Sequence, residues 1–126
     1  LDEGILPGGG VALVRSSFNL HDKFTGEESI DAGIKIMKKA CQAPLRQIVM
    51  NAGKSPDLIL ERVKELKGSQ GYDARNSIFG DMMELGILDP HKVVRCAIEN
   101  ATSSASMLLS AGAAMIEEKK DSLTSK

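Results

Sequence analysis

The chain carries four aromatic residues, Phe18, Phe24, Tyr72 and Phe79, and no tryptophan. Its core must therefore be assembled from Ile, Leu, Val, Met and Ala, side chains that interdigitate well along closely packed helices. With 126 residues, 42% hydrophobic and 26% charged, the chain is one domain at most and globular in composition. Lys plus Arg number 16 against 17 for Asp plus Glu, a net charge of −1. That balance leaves no basic excess to follow a phosphate backbone, so nucleic acid is not an expected partner. The most apolar stretch, Met107 to Ile116, is interrupted by Ser110 and Gly112. It falls well short of the roughly 20 apolar residues of a membrane span, so no membrane partner is expected. The opening residues do not read as a signal peptide, but the chain starts at Leu1 inside an ongoing pattern, as a fragment would.

Local signals divide the chain into helices punctuated by turns. Pro7 and Gly8-Gly9-Gly10 mark a turn, after which Val11, Leu13, Val14, Phe18 and Leu20 predict a helix up to His21. A polar loop, Asp22 to Glu28, follows. Ile30, Ile34, Met37 and Cys41 recur at helical spacing, and the pattern resumes with Leu45, Ile48 and Val49. Pro44 between them predicts a kink or break. Asn51-Ala52-Gly53 closes that helix, and Ser55-Pro56-Asp57 opens the next, with Ile59, Val63 and Leu66 on one face. Gly71-Tyr72 and Ile78-Phe79-Gly80 flank a polar stretch, Asp73 to Ser77, in the manner of a short hairpin. Asp81 to Leu85 predicts a helical turn closed by Gly86. Asp89-Pro90 then opens the longest helix, about Pro90 to Ala111, with Val94, Ala97, Ala101, Ala105 and Leu108 on one seam. Ala113 to Ile116 reads as a final edge strand, and 117–126 as a flexible polar tail. The predicted fold class is mostly α, with a short β-hairpin and that C-terminal edge strand.

Residues with chemical potential each admit two readings. The Pro7 to Gly10 turn feeds a helix N-terminus, where free N–H groups can hold an anion and missing side chains let a ligand lie against the backbone. The same glycines also permit a tight turn, and the run lacks phosphate-loop spacing. Asp89 is a helix cap whose second oxygen remains free to accept from sugar hydroxyls. Ile87 and Leu88 are either a floor for a planar base or ordinary core, and Tyr72 and Asp73 read first as hairpin residues. Cys41 and Cys96 fall on apolar helical faces as free thiols, which suits a reducing compartment. His21 and His91 stand apart from both cysteines and from each other, so no metal site is expected. No local nucleophile–base arrangement is present, so no catalytic residue is assigned.

Four strings carry a resemblance: Glu3-Gly4-Ile5-Leu6-Pro7-Gly8-Gly9-Gly10-Val11-Ala12-Leu13, Ala43-Pro44-Leu45-Arg46-Gln47-Ile48-Val49, Gly71-Tyr72-Asp73-Ala74, and Gly86-Ile87-Leu88-Asp89-Pro90-His91-Lys92-Val93. In order and spacing, from Asp2 to about Ile116, the chain resembles the group I chaperonins, the 60-kDa GroEL family. The resemblance implies that residues 1–126 form a single partial domain, the C-terminal half of the ATP-binding and ring-forming equatorial domain. It implies that Gly9 brings its backbone against the nucleotide and that Asp89 hydrogen-bonds the ribose hydroxyls. Ile87 would pack on adenine, and Asp73 and Ala74 would border the base edge. Arg75 departs from the small residue common at its position in the family, and the tail lacks Gly-Gly-Met repeats.

What the resemblance implies for function is an ATP-dependent molecular chaperone that assists protein folding in a homo-oligomeric, heptameric ring, with a co-chaperonin and unfolded polypeptides as partners through domains not included in this sequence. ATP or ADP would be the ligand of the whole protein, whose Mg2+ and potassium sites and phosphate loop lie upstream of this segment. The fragment alone is accordingly expected to lack ATPase activity. The implied location is the bacterial cytoplasm, or alternatively the mitochondrial matrix or plastid stroma. The competing reading is a free-standing helical interaction module without nucleotide, in which the glycine turn and Asp89 are purely structural.

Overall fold

The computed structural model describes the backbone of residues 3–124, and the side chains of that stretch except at 21–22 and 113–124. The elements run β1 (Ile5–Pro7), α1 (Val11–Phe18), a 3-10 turn (Asn19–Lys23), α2 (Glu28–Asn51), α3 (Pro56–Glu65), β2 (Gln70–Asp73), β3 (Ile78–Asp81), β4 (Leu88–Pro90) and α4 (His91–Thr124). The architecture is helical, with two small two-stranded sheets, β1–β4 and β2–β3. Two compact units emerge, Ile5–Asp89 on one side of the division and Leu1–Gly4 with Pro90–Lys126 on the other.

In the Ile5–Asp89 unit, three helices and the hairpin share one core. Val11 and Val14 of α1, Leu45 and Val49 of α2, Leu60 and Val63 of α3, Tyr72 of β2, and Met82 are all buried. Each fully buried side chain of this kind stabilises the fold by roughly 1.5–3 kcal/mol. Only the second half of α2 contributes, because Ile30 and Ile36 in its first half are exposed. On α3 the buried stripe centres on Leu60 and Val63, with Ile59 at its margin, a rotation from the expected Ile59-Val63-Leu66 face. Pro56 occupies the first helical turn as predicted, although the Ser55 hydroxyl makes no capping bond.

Pro44 does not break its helix: α2 is continuous from Glu28 to Asn51, so of the kink or break that the sequence predicts, the break does not occur. Proline removes the N–H that would bond the carbonyl four residues earlier. That carbonyl belongs to Ala40, and both Ala40 and Pro44 are exposed, so water can replace the lost bond.

The hairpin follows the sequence closely. β2 and β3 pair antiparallel with Gln70 opposite Asp81, Gly71 opposite Gly80, Tyr72 opposite Phe79 and Asp73 opposite Ile78. The Tyr72 and Phe79 rings pack with centroids 5.0 Å apart. Gly71 cannot be replaced freely, because a Cβ there would run into Val11 Cγ2. Arg15 braces the same region: its guanidinium donates to the carbonyls of Val63 (2.7 Å), Gln70 (2.9 Å) and Gly68 (3.2 Å). Partial burial lowers its pKa through desolvation.

In the second unit, the Gly4 carbonyl accepts from the His91 N–H at 3.0 Å. The Glu3 carboxylate is gripped by Arg95, through Nε at 2.9 Å and Nη2 at 2.6 Å, and lies 3.0 Å from His91 Nδ1. These partners, Arg95 first, hold the Glu3 carboxyl down at about 2. Helix α4 then runs through residues 113–116, so the predicted edge strand is absent and a helix stands in its place. Ala113 and Ala114 begin that stretch, and both are stronger helix formers than strand formers. The tail predicted at 117–126 is helical to Thr124, and its side chains lie outside the described residues.

Candidate functional site

The glycine run lets two backbone segments touch. Gly8 donates its N–H to the Ile87 carbonyl at 2.8 Å. A Cβ on Gly8 would stand 3.0 Å from both the carbon and the oxygen of that carbonyl, so any larger residue would push the loop and the Ile87 backbone apart by a few tenths of an ångström. Gly9 and Gly10 both take positive φ, 70° and 80°, the left-handed region in which glycine is the residue of choice. The Cβ side of Gly9 packs toward the Tyr72 carbonyl oxygen, Met82 Sδ and Ile87 Cγ2, at 3.5, 3.6 and 3.9 Å from where a Cβ would sit. Gly10 abuts the backbone of Leu45 and begins α1 without a side-chain cap. The first-turn N–H groups of α1 thus start directly behind the glycine loop.

Asp73 ends β2 beside this cluster, and it is buried. Its Oδ1 accepts from the backbone N–H groups of Arg75 (3.0 Å) and Asn76 (3.2 Å), and its Oδ2 from Asn76 Nδ2 at 2.7 Å. The Asn76 side-chain amide, with these backbone groups, holds the Asp73 carboxyl below its usual range against the opposing effect of desolvation. The carboxylate is therefore committed to the hairpin loop, and what Asp73 and Ala74 can offer a ligand is backbone and the Ala74 methyl. Ala74 and Ile87 both pack, half-buried, against the same core cluster.

Asp89 lies in β4, two residues beyond Ile87 in the chain. Helix α4 begins at His91 rather than at Pro90. Among the described residues the Asp89 carboxylate has no hydrogen-bond partner, so it is not acting as the cap the sequence suggested, and it is half-buried. An acceptor-only group in that setting is open to donors from outside the protein.

The structure thus brings Gly9, Ile87 and Tyr72 into contact range, with Asp73 and Ala74 following Tyr72 in the chain and Asp89 two residues beyond Ile87. Met82, Asp81 and Ser69 are components that the sequence reading did not single out. Asp81 had a local signal, an aspartate opening a turn before Gly86; Met82 is an ordinary core methionine until Gly9 is placed over it. Among the described residues no three His, Cys, Asp or Glu side chains gather as a metal site would require. Cys41 and Cys96 are free and half-buried, and desolvation raises the Cys41 thiol pKa.

Over residues 1–120 the sequence matches the TCP-1/cpn60 chaperonin family. The fold is similar to that of an open-state monomer of a group II chaperonin from Methanococcoides burtonii, with a TM-score of 0.74 at 23% identity. That alignment covers 83% of this chain and 27% of the archaeal one, so the chain spans little more than a quarter of that relative's length. The family match over nearly all of the sequence, joined to a fold that a chaperonin monomer shares, identifies the chain as a member of the TCP-1/cpn60 chaperonin family.

Proposed function

We propose that this chain is the C-terminal part of the equatorial domain of a group I chaperonin, and that it holds the adenine and ribose of ATP. The observation that carries the reading is the meeting of Gly9 with Ile87 beside the Tyr72–Ala74 segment, close in the chain to a half-buried carboxylate, Asp89, that has no hydrogen-bond partner among the described residues. A planar base needs an apolar face and a bordering polar edge, which Ile87 and the backbone at Asp73 and Ala74 supply. A ribose needs an acceptor for its hydroxyls, which Asp89 supplies. Gly9, bare of side chain, admits the nucleotide close to the main chain.

In this reading the phosphates, Mg2+ and potassium are held by residues elsewhere in a longer polypeptide. Hydrolysis there drives a two-state ring that encloses a non-native protein. The ring is a homo-oligomer, heptameric and capped by a co-chaperonin, in a bacterial cytoplasm or an organelle derived from one. The four strings quoted above, rather than the archaeal likeness, support the group I assignment.

Calorimetric titration of the full-length protein with ATP and with 2′,3′-dideoxy-ATP tests the role of Asp89. Asp89→Asn is expected to weaken ATP by about tenfold, the scale of a lost charge-assisted hydrogen bond, and to leave the dideoxy analogue nearly unchanged. Equal losses for the two nucleotides, or none, would remove Asp89 from the ribose site.

A further inference from the structure

We infer that Asp81, supported by Ser69, is a positioning residue for the base-binding side of the nucleotide site, an inference that rests on the reading just proposed. A run of hydrogen bonds leads from Ser69 to the glycine loop. The Met82 N–H donates to the Ser69 carbonyl at 2.9 Å, the Ile87 N–H to the Met82 carbonyl at 2.9 Å, and the Gly8 N–H to the Ile87 carbonyl at 2.8 Å. The position of Ile87 relative to Gly9 is therefore fixed by how the turn at 82–86 is held.

Asp81 holds that turn at its start. Its Oδ1 accepts from the N–H groups of Met83 (2.9 Å) and Glu84 (3.3 Å), its carbonyl accepts from Leu85 N–H at 3.0 Å, and the Ser69 hydroxyl stands 3.0 Å from both carboxylate oxygens. Between these anchors Met82 is fully buried, with Sδ 3.6 Å from where a Gly9 Cβ would sit. Among the described residues no hydrogen bond joins Asp81 to the glycine loop, so its influence on a nucleotide passes through Met82 and Ile87. Five acceptor contacts converging on one residue at the head of a turn are the arrangement that keeps a ligand-facing side chain in one place.

The inference separates adenine recognition from phosphate recognition. In the full-length protein, calorimetry with ATP and with inorganic tripolyphosphate compares the wild type with Asp81→Ala, Asp81→Asn, Ser69→Ala, Ile87→Ala and the remote control Asp57→Ala. Asp81→Ala is expected to weaken ATP by about tenfold and leave tripolyphosphate unchanged. Asp81→Asn, which keeps an oxygen for the Met83 and Glu84 N–H groups, should recover most of that loss, and Asp57→Ala should alter neither ligand. Should Asp81→Ala fail to fold, Ser69→Ala gives the same test, with a loss of about twofold to threefold confined to ATP. Unchanged ATP affinity in the folded Asp81 or Ser69 variant, or a parallel loss for both ligands, overturns the inference while an Ile87→Ala effect keeps the nucleotide reading. A wild-type protein that binds no ATP, or an Ile87→Ala variant that binds it normally, overturns both.

Discussion

Replacing Gly10 with alanine should be among the most damaging single-methyl changes in this chain. Gly10 sits at φ 80°, where an L side chain costs about 1–2 kcal/mol. The new Cβ would also lie 2.7 Å from Leu45 N, 2.9 Å from its Cα and 3.0 Å from its Cβ. Leu45 is buried in the middle of α2 and cannot retreat without moving the helix, so overpacking adds about 1–3 kcal/mol. The sum, about 2–5 kcal/mol, is a large share of the ~5–15 kcal/mol that holds a typical domain folded. Gly26 provides the control: its φ is 84°, and nothing lies within 4 Å of an added Cβ, so Gly26→Ala carries the backbone strain alone. Urea unfolding followed by circular dichroism should place Gly10→Ala below Gly26→Ala by about 1–3 kcal/mol, with an unchanged slope. Two variants of equal stability would refute the claim that the glycine loop is wedged against α2.

Further expectations follow from the side-chain contacts. Arg15→Lys keeps the charge but cannot reach three carbonyls at once, and should destabilise by about 1–2 kcal/mol in the same urea titration; a neutral result would show the brace on α3 and β2 to be ornamental. Asp89→Ala should change stability by less than about 0.5 kcal/mol, because among the described residues the carboxylate has no hydrogen-bond partner to lose, whereas a loss above about 1 kcal/mol would restore it as a helix cap. The Glu3 carboxyl, held down at about 2 against its usual 4.5, contributes stability that is full above the usual value and lost as pH falls toward about 2. Its side-chain carbonyl resonance should titrate near that lower value and move up in Arg95→Ala; a midpoint near 4.5 in the wild type would contradict the Arg95 and His91 contacts.

Much of this fold was legible because it is written in local punctuation. Ser55-Pro56, Asn51-Ala52-Gly53 and the Gly71 to Gly80 hairpin state their turns within a few residues, and the structure follows them. At Pro44 the helix is not broken, because Ala40 and Pro44 are both exposed and water can replace the bond that proline removes. The predicted strand at 113–116 failed because a four-residue apolar run has no period of its own, and the helix before it simply continues. The candidate site was legible only in part. Gly9 and Ile87 are legible as separate motifs, but their contact depends on the 77 intervening residues folding back, which no local pattern reveals. Arg15 escaped notice for the same reason, its carbonyl partners lying 48 to 55 positions away. The Asp89 cap failed on a shift of one residue in the helix start, which leaves the carboxylate without a hydrogen-bond partner among the described residues.

The most direct test of the account is photolabelling of the full-length protein with 8-azido-ATP, followed by mass spectrometry of its peptides. An azide on the base reports what adenine touches, independently of where the phosphates are held. The account predicts label on residues 72–75 or 87–89, suppressed by excess ATP and reduced in Ile87→Ala. Label that ATP displaces but that falls wholly elsewhere, or labelling of these segments that ATP does not displace, would contradict the assignment of the adenine site to this chain.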